Sequence, residues 1–147
     1  MDKVKLAIVG CGAISNLNVP GYLDHSKCEI IALCDPIPER ATSKAKEWGI
    51  SPDIFTEYDD ILSNKNVDAV ELLTPTYLHA EQIISGLKAG KHISCQKPLA
   101  TSMKEASEIG KMVKKSDRIF RVTENFLYYP PIVKAKQLID SGEIGSP

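Results

Sequence analysis

The chain has 147 residues and a net charge of −1, from 18 Lys and Arg against 19 Asp and Glu. Hydrophobic residues make up 43% of it, so the chain can bury a core without cross-links. The balanced charge argues against binding to nucleic acid or to a membrane surface, because both need a basic face. None of the four cysteines lies in a C-x-x-C pair, and no apolar run reaches the length of a membrane span. We therefore expect reduced thiols, no metal site and a cytoplasmic location.

Apolar runs of strand length alternate with segments of helical periodicity along the whole chain. The runs predict strands over 4–9, 29–34, 53–56, 68–73, 92–95 and 119–123. The periodic segments predict helices over 14–23, 38–48, 58–63, 78–89, 102–113 and 132–141, with a bend or break at Pro20 in the first. This repeated order indicates an α/β fold, in which a mainly parallel sheet of about six strands carries helices on both faces.

Two of these helices have boundaries that carry a recognisable chemical signal. Pro38 suits the first turn of a helix and Gly49 its end, because proline needs no N–H there and glycine closes the last turn. Ser102 and Glu105 match the capping box, in which each side chain is expected to accept a hydrogen bond from the other residue's backbone N–H.

The first strand runs directly into a glycine-rich turn, a G-x-G-x-x-S pattern that opens a helix. Gly10 permits the tight turn, and Gly12 lets a pyrophosphate approach the backbone because it has no side chain. The helix N-terminus then offers free N–H groups to the phosphates. An ordinary strand–helix turn is the simpler alternative. The pattern favours a Rossmann-type, doubly wound fold with these cofactor-binding residues: Gly10, Cys11, Gly12, Ala13 and Ile14.

Asp35 stands at the end of the second predicted strand, 20 residues after Ser15, where a dinucleotide site has its ribose-binding acid. A carboxylate accepts hydrogen bonds from the ribose hydroxyls of NAD and repels the 2′-phosphate of NADP. Arg40 is the nearest arginine and could still reach such a phosphate. We expect NAD as the cofactor, with NADP as the less favoured alternative.

Two polar segments lie just past the carboxyl ends of later strands, the edge at which open α/β sheets bind ligands. One runs from Thr74 to His79, and the other is Gln96-Lys97-Pro98. Lys97 is a candidate acid, or an anchor for a substrate hydroxyl, since its charge would lie beside the oxygen that changes protonation. From position alone, a surface lysine in a loop and a packed histidine at a helix start remain open alternatives.

In order and spacing over essentially the whole chain, these motifs resemble the N-terminal NAD(P)-binding domain of the glucose–fructose oxidoreductase, inositol dehydrogenase and MocA family. The matching segments are Gly10/Gly12/Ser15, Asp35, Thr74-Pro75 with His79, Ala89-Gly90-Lys91-His92 and Gln96-Lys97-Pro98-Leu99-Ala100. The resemblance implies an oxidoreductase that transfers a hydride between a nicotinamide cofactor and a carbinol carbon of a sugar, inositol or related polyol.

The resemblance also implies roles for single residues. Lys97 corresponds to the lysine that contacts the substrate near the nicotinamide, and Asn125 to a position that lines the same cleft. Thr74-Pro75 and His79 correspond to the segment beside the nicotinamide and its ribose. Gln96 departs from the family's usual glutamate: it can bond the ribose, but it carries no negative charge to pair with Lys97.

Members of the family carry a second α/β domain that binds substrate and forms the oligomer. We therefore expect residues 1–147 to be the dinucleotide-binding domain alone, catalytically incomplete, with a full-length parent that is a homo-oligomer. Two other functions stay open for the same fold, because fold does not establish function. One is an NAD-dependent redox glycosidase, and the other is a non-catalytic regulator that senses a dinucleotide.

Overall fold

A six-stranded parallel sheet forms the centre of the molecule in the computed structural model, which describes residues 3–145. The strands are β1 (Val4–Val9), β2 (Cys28–Cys34), β3 (Asp53–Phe55), β4 (Ala69–Leu72), β5 (His92–Gln96) and β6 (Phe120–Thr123). Their order is β3-β2-β1-β4-β5-β6, and every neighbouring pair is parallel. This order confirms the predicted Rossmann-type α/β fold, whose strand sequence reverses direction between β1 and β4.

Helices connect the strands. In the described residues they are α1 (Ser15–Asn18), α2 (Pro20–Leu23), α3 (Pro38–Trp48), α4 (Tyr58–Ser63), α5 (Thr76–Lys88), α6 (Met103–Lys115) and α7 (Pro130–Asp140). A 3₁₀ turn, Phe126–Tyr128, precedes α7. The helix expected over 14–23 is split at Pro20 into α1 and α2, because proline has no N–H for a continuous helix.

Alternate residues of β1 enter two hydrophobic layers, one on each face of the sheet. On one face, Ala7 and Val9 pack with buried residues of α4, α5 and α6. On the other face, Leu6 and Ile8 pack with Val19 and with α3. The prediction of helices on both faces is therefore confirmed, and the strand ends are left free to form loops at the edges of the sheet.

The helix caps follow the sequence with one correction. Gly49 ends α3 in the left-handed region, with a φ of 66°. At the start of α6, the Ser102 hydroxyl accepts from the Glu105 N–H at 3.2 Å, as expected. The Glu105 carboxylate, however, accepts from the N–H and the hydroxyl of Thr101, both at 2.8 Å, instead of from Ser102. The second bond of the predicted capping box is thus wrong, because Thr101 offers two donors one residue earlier.

Several general expectations can be compared with the structure directly. Within residues 3–145, no helix is both long and apolar enough to cross a membrane. The same residues contain no group of three or more His, Cys, Asp or Glu side chains that could hold a metal ion. Burial raises the pKa of the Cys11, Cys34 and Cys95 thiols to about 12, so these cysteines are protonated and unreactive at neutral pH.

Candidate functional site

The carboxyl ends of the parallel strands meet at one edge of the sheet, and the strand order reverses there between β1 and β4. This reversal opens a crevice between neighbouring loops, the usual ligand site of an open α/β sheet. The loops that follow β1, β2, β4, β5 and β6 begin at Gly10, Asp35, Leu73, Lys97 and Glu124. The topology therefore brings the segments that carry the predicted site residues to the same edge.

Gly10 and Gly12 are required for different reasons. Gly10 has a φ of 97°, and a Cβ atom there would lie 2.7 Å from the carbonyl oxygen of Leu73. No other residue fits at position 10, because the turn packs directly on the backbone that leaves β4. A Cβ at Gly12 would meet nothing within 4 Å. The protein itself does not fill the space in front of Gly12, so a ligand can.

The turn also leaves backbone donors free. The Ser15 hydroxyl donates to the Gly12 carbonyl at 2.7 Å and is fully buried, which closes the turn onto α1. Within residues 3–145, the N–H groups of Gly12, Ala13 and Ile14 meet no hydrogen-bond acceptor. Free N–H groups beside open space suit an anion such as a pyrophosphate, so the residues present fit a dinucleotide.

Asp35 is buried and accepts two backbone hydrogen bonds, which the sequence did not predict. Its side chain is only 5% exposed. One carboxylate oxygen accepts from the Cys11 N–H at 2.9 Å, and the other accepts from the Ile37 N–H at 3.0 Å. The Arg40 guanidinium lies 3.9 Å from the second oxygen. Asp35 therefore ties the glycine-rich turn to the start of α3, and each oxygen keeps a further lone pair for a ligand hydroxyl.

His79 lies behind the loops rather than on an open surface. It is 1% exposed, with one ring nitrogen 2.9 Å from the Thr74 carbonyl and the other 2.9 Å from the Pro98 carbonyl. The Thr74 hydroxyl in turn donates to the Gln82 side chain. The imidazole thus joins the loop after β4 to the loop after β5. Its predicted direct contact with a cofactor stays a prediction.

A cavity of about 390 Å³ brings together four of the predicted site residues, Ile14, Gln96, Lys97 and Asn125. Its lining consists of Ile14, Leu17, Asn18, Gln96, Lys97, Thr123, Asn125 and Phe126. The exposed Lys97 side chain makes no hydrogen bond or ion pair with the part of the chain that the structure describes. Because Lys97 lines this cavity, its ammonium group is available to a hydroxylated ligand there.

Sequence reasoning missed Asn18, which the structure places in the lining of this cavity. The Gln96 side-chain amide donates to the side-chain oxygen Oδ1 of Asn18 at 3.1 Å, across 78 residues of sequence. Asn18 follows the glycine-rich pattern by one turn and faces the same side as Ile14, to whose carbonyl it donates at 3.0 Å. The spacing of four residues between Ile14 and Asn18 could have indicated that both lie on one side of the helix. It does not identify Gln96 as the partner of Asn18.

Lys91, within the matching Ala89-Gly90-Lys91-His92 segment, lies at the opposite edge of the sheet. It is 6% exposed, and its ammonium donates to the carbonyls of Asn64 at 2.7 Å and Val67 at 2.9 Å. Burial lowers the pKa of Lys91, an effect that the charge of Asp68 partly opposes. This lysine fastens the loop before β4 to the start of β5 and takes no part in the crevice.

The comparisons agree with this geometry. Residues 4–124 match the model of an oxidoreductase family described by its NAD-binding Rossmann fold. The chain is 31% identical to the inositol 2-dehydrogenase/D-chiro-inositol 3-dehydrogenase of Lactiplantibacillus plantarum, over 97% of the chain and 41% of that enzyme. It is 33% identical to the NAD(+) scyllo-inositol 2-dehydrogenase of Bacillus subtilis, over 99% of the chain and 42% of that enzyme.

Solved structures give the same result. Scyllo-inositol dehydrogenase from Lactobacillus casei, with bound NAD(H) and scyllo-inositol, superposes with a TM-score of 0.90 at 25% identity, over 98% of this chain and 43% of that one. A 3-ketoreductase from Actinomadura kijaniata, in complex with TDP-benzene and NADP, superposes with a TM-score of 0.87 at 27% identity, over 98% and 45%. The chain thus spans less than half the length of these relatives. It belongs to the oxidoreductase family with an NAD-binding Rossmann fold.

Proposed function

We propose that this chain holds NAD at the crevice and serves as the dinucleotide-binding domain of an enzyme that oxidises or reduces inositol or a related polyol. The observation that carries the proposal is the turn itself, where Gly12 leaves an open space beside three unpartnered N–H groups. The relatives named above are dehydrogenases and a ketoreductase, which favours this function over a redox glycosidase or a regulator.

The choice of NAD over NADP rests on Asp35. Its carboxylate accepts hydrogen bonds and carries negative charge next to the turn, which suits ribose hydroxyls and repels a phosphate. Arg40 is the opposing influence, because its guanidinium already lies 3.9 Å from that carboxylate and is 55% exposed. Among the similar solved structures, one contains NAD(H) and another contains NADP, so we assign the choice of cofactor to these two residues.

The chemistry at the substrate end falls to Lys97. When bound, the nicotinamide supplies or accepts the hydride, and the protein orients the reacting groups. The Lys97 ammonium would donate to the substrate oxygen and stabilise the charge that develops on it. Asn125, in the wall of the same cavity, would bond a neighbouring hydroxyl. We further propose that a second domain completes the substrate site, so that the 147-residue chain binds cofactor with little turnover.

A pair of glycine variants tests the proposed cofactor site. Gly12→Ala places a methyl group in the open space before the turn, whereas Gly110→Ala places one on α6, where a Cβ also meets nothing within 4 Å. Thermal unfolding with added NAD measures binding, since a ligand at about 100 times its dissociation constant adds about 2.7 kcal/mol of stability. The wild type and Gly110→Ala should shift equally, and Gly12→Ala should shift by about half as much or less. An equal shift in all three would contradict the site.

A further inference from the structure

Three hydrogen bonds in series join the glycine-rich turn to the backbone of Lys97. The Asn18 amide donates to the Ile14 carbonyl at 3.0 Å. The Gln96 amide donates to the Asn18 side-chain oxygen at 3.1 Å. The Lys97 N–H donates to the Gln96 side-chain oxygen at 2.8 Å. The chain of bonds therefore runs from Ile14, in the glycine-rich turn, to Lys97, the residue proposed to bind substrate.

Each side chain in this series uses its donor and its acceptor at once. An amide provides both, whereas a carboxylate is an acceptor alone. A glutamate at position 96 could still accept from the Lys97 N–H, but it could not donate to Asn18. An aspartate at position 18 could accept from Gln96, but it could not donate to Ile14. The two positions are matched to each other as a neutral pair.

α1, the helix that carries Asn18, is short and buries little of its own surface. α1 is a single turn of four residues, and Ser15 is its one buried member. Asn18 and Gln96 also line the same cavity as Lys97. A shift of α1 on ligand binding would therefore pass to the loop after β5 through this pair of side chains.

We infer that Asn18 and Gln96 act as positioning residues that couple dinucleotide binding at the turn to the placement of Lys97. This inference rests on the proposed function. A dinucleotide that fixes the turn holds the Ile14 carbonyl in place, then the Asn18 and Gln96 amides, and finally the backbone of Lys97. The pair touches no reacting atom, and its effect on the reaction is exerted through the position of Lys97.

Amide hydrogen exchange, measured by NMR without ligand, tests the pair directly. In Asn18→Leu the Gln96 side chain loses its partner, so the Lys97 N–H should exchange about fivefold faster, the worth of one hydrogen bond. Asn16→Leu is the matched control: it lies on the same helix, and its side chain contacts Lys44 instead of Gln96. Equal Lys97 exchange in the wild type and in Asn18→Leu, at equal global stability, would overturn the inference.

The same measurement with NAD tests the coupling. NAD should slow exchange of the Lys97 N–H in the wild type and in Asn16→Leu. In Gln96→Glu, which keeps the bond to Lys97 and breaks the one to Asn18, ligand-free exchange should stay slow and the response to NAD should vanish. An undiminished NAD response in that variant would overturn the coupling. Failure of the wild type to bind NAD would overturn the proposed function and the coupling, while the ligand-free comparison would still decide whether the pair holds Lys97.

Discussion

A lysine lies next to each end of β5, and the two lysines differ in burial and in hydrogen bonding. Lys91 precedes the strand, is buried, and donates to two backbone carbonyls. Lys97 follows the strand, is exposed, and its ammonium has no partner in the described residues. At β5, a lysine side chain thus fastens the amino end of the strand, whereas the lysine at the carboxyl end keeps its ammonium available. The contrast separates residues that hold the fold from residues available to a ligand.

Substitutions of the glycines after β1 should give the largest effects that test this contrast. Gly10→Ala forces a Cβ against the Leu73 carbonyl at a φ of 97°, so it should cost about 3 kcal/mol or more of unfolding free energy. Gly12→Ala should change stability by about 0.5 kcal/mol or less and should still weaken NAD binding by about tenfold or more. Urea unfolding measures the first effect. A Gly10→Ala chain as stable as the wild type would contradict the packing argument.

The lysines of β5 give the next largest effect. Lys91→Met keeps the aliphatic stem and leaves the carbonyls of Asn64 and Val67 without their donor, so it should cost about 2 kcal/mol. Lys97→Met removes a charge that forms no hydrogen bond or ion pair within residues 3–145, and it should change stability by about 0.5 kcal/mol or less. Chemical denaturation of the two variants side by side measures the difference. Equal losses would remove the distinction between the two edges of the sheet.

Glu71, in the interior between these edges, gives a smaller effect that depends on pH. It is fully buried in β4, Tyr22 donates to one of its oxygens at 2.7 Å, and the other oxygen has no partner in the described residues. Burial raises the pKa of Glu71, although the hydrogen bond from Tyr22 and the charge of Arg121 oppose this. The native state then binds a proton that the unfolded chain releases, so stability should fall as pH rises above the ordinary carboxyl range.

Glu71→Gln removes this titration and still accepts from Tyr22. The variant should gain about 1 kcal/mol at neutral pH, because a neutral amide is less costly to bury than a carboxylate. Its stability should also lose the downward slope between the ordinary carboxyl pKa and the raised one. Thermal midpoints measured from acid to neutral pH check both points. A variant that is less stable than the wild type at neutral pH would mean that Glu71 is held as a stabilising anion.

The contrast between the two edges also explains what the sequence could predict. The strands were predictable because each is a short apolar run with a turn signal at its end, and that pattern is local. The break at Pro20 and the requirement for Gly10 were predictable for the same reason. Local patterns were also sufficient to place Asp35 and Lys97 past strand ends, at the edge where ligands bind.

Contacts between distant segments were not predictable. The bond from Cys11 to Asp35 spans 24 residues, and the bond from Gln96 to Asn18 spans 78. Such partners depend on how loops meet in space, and the spacing of residues in the sequence does not contain that information. His79 illustrates the consequence: its place in a motif predicted a position beside the cofactor, but not that its ring nitrogens lie 2.9 Å from the carbonyls of Thr74 and Pro98, between two loops.

Calorimetric titration of the unmodified chain with NAD and with NADP tests the central claim most directly. The account predicts that NAD binds with a dissociation constant at least about tenfold lower than that of NADP, because the Asp35 carboxylate repels the additional phosphate. Tighter binding of NADP would contradict the role given to Asp35 and transfer it to Arg40. No binding of either dinucleotide would contradict the claim that the open turn at Gly12 is a cofactor site.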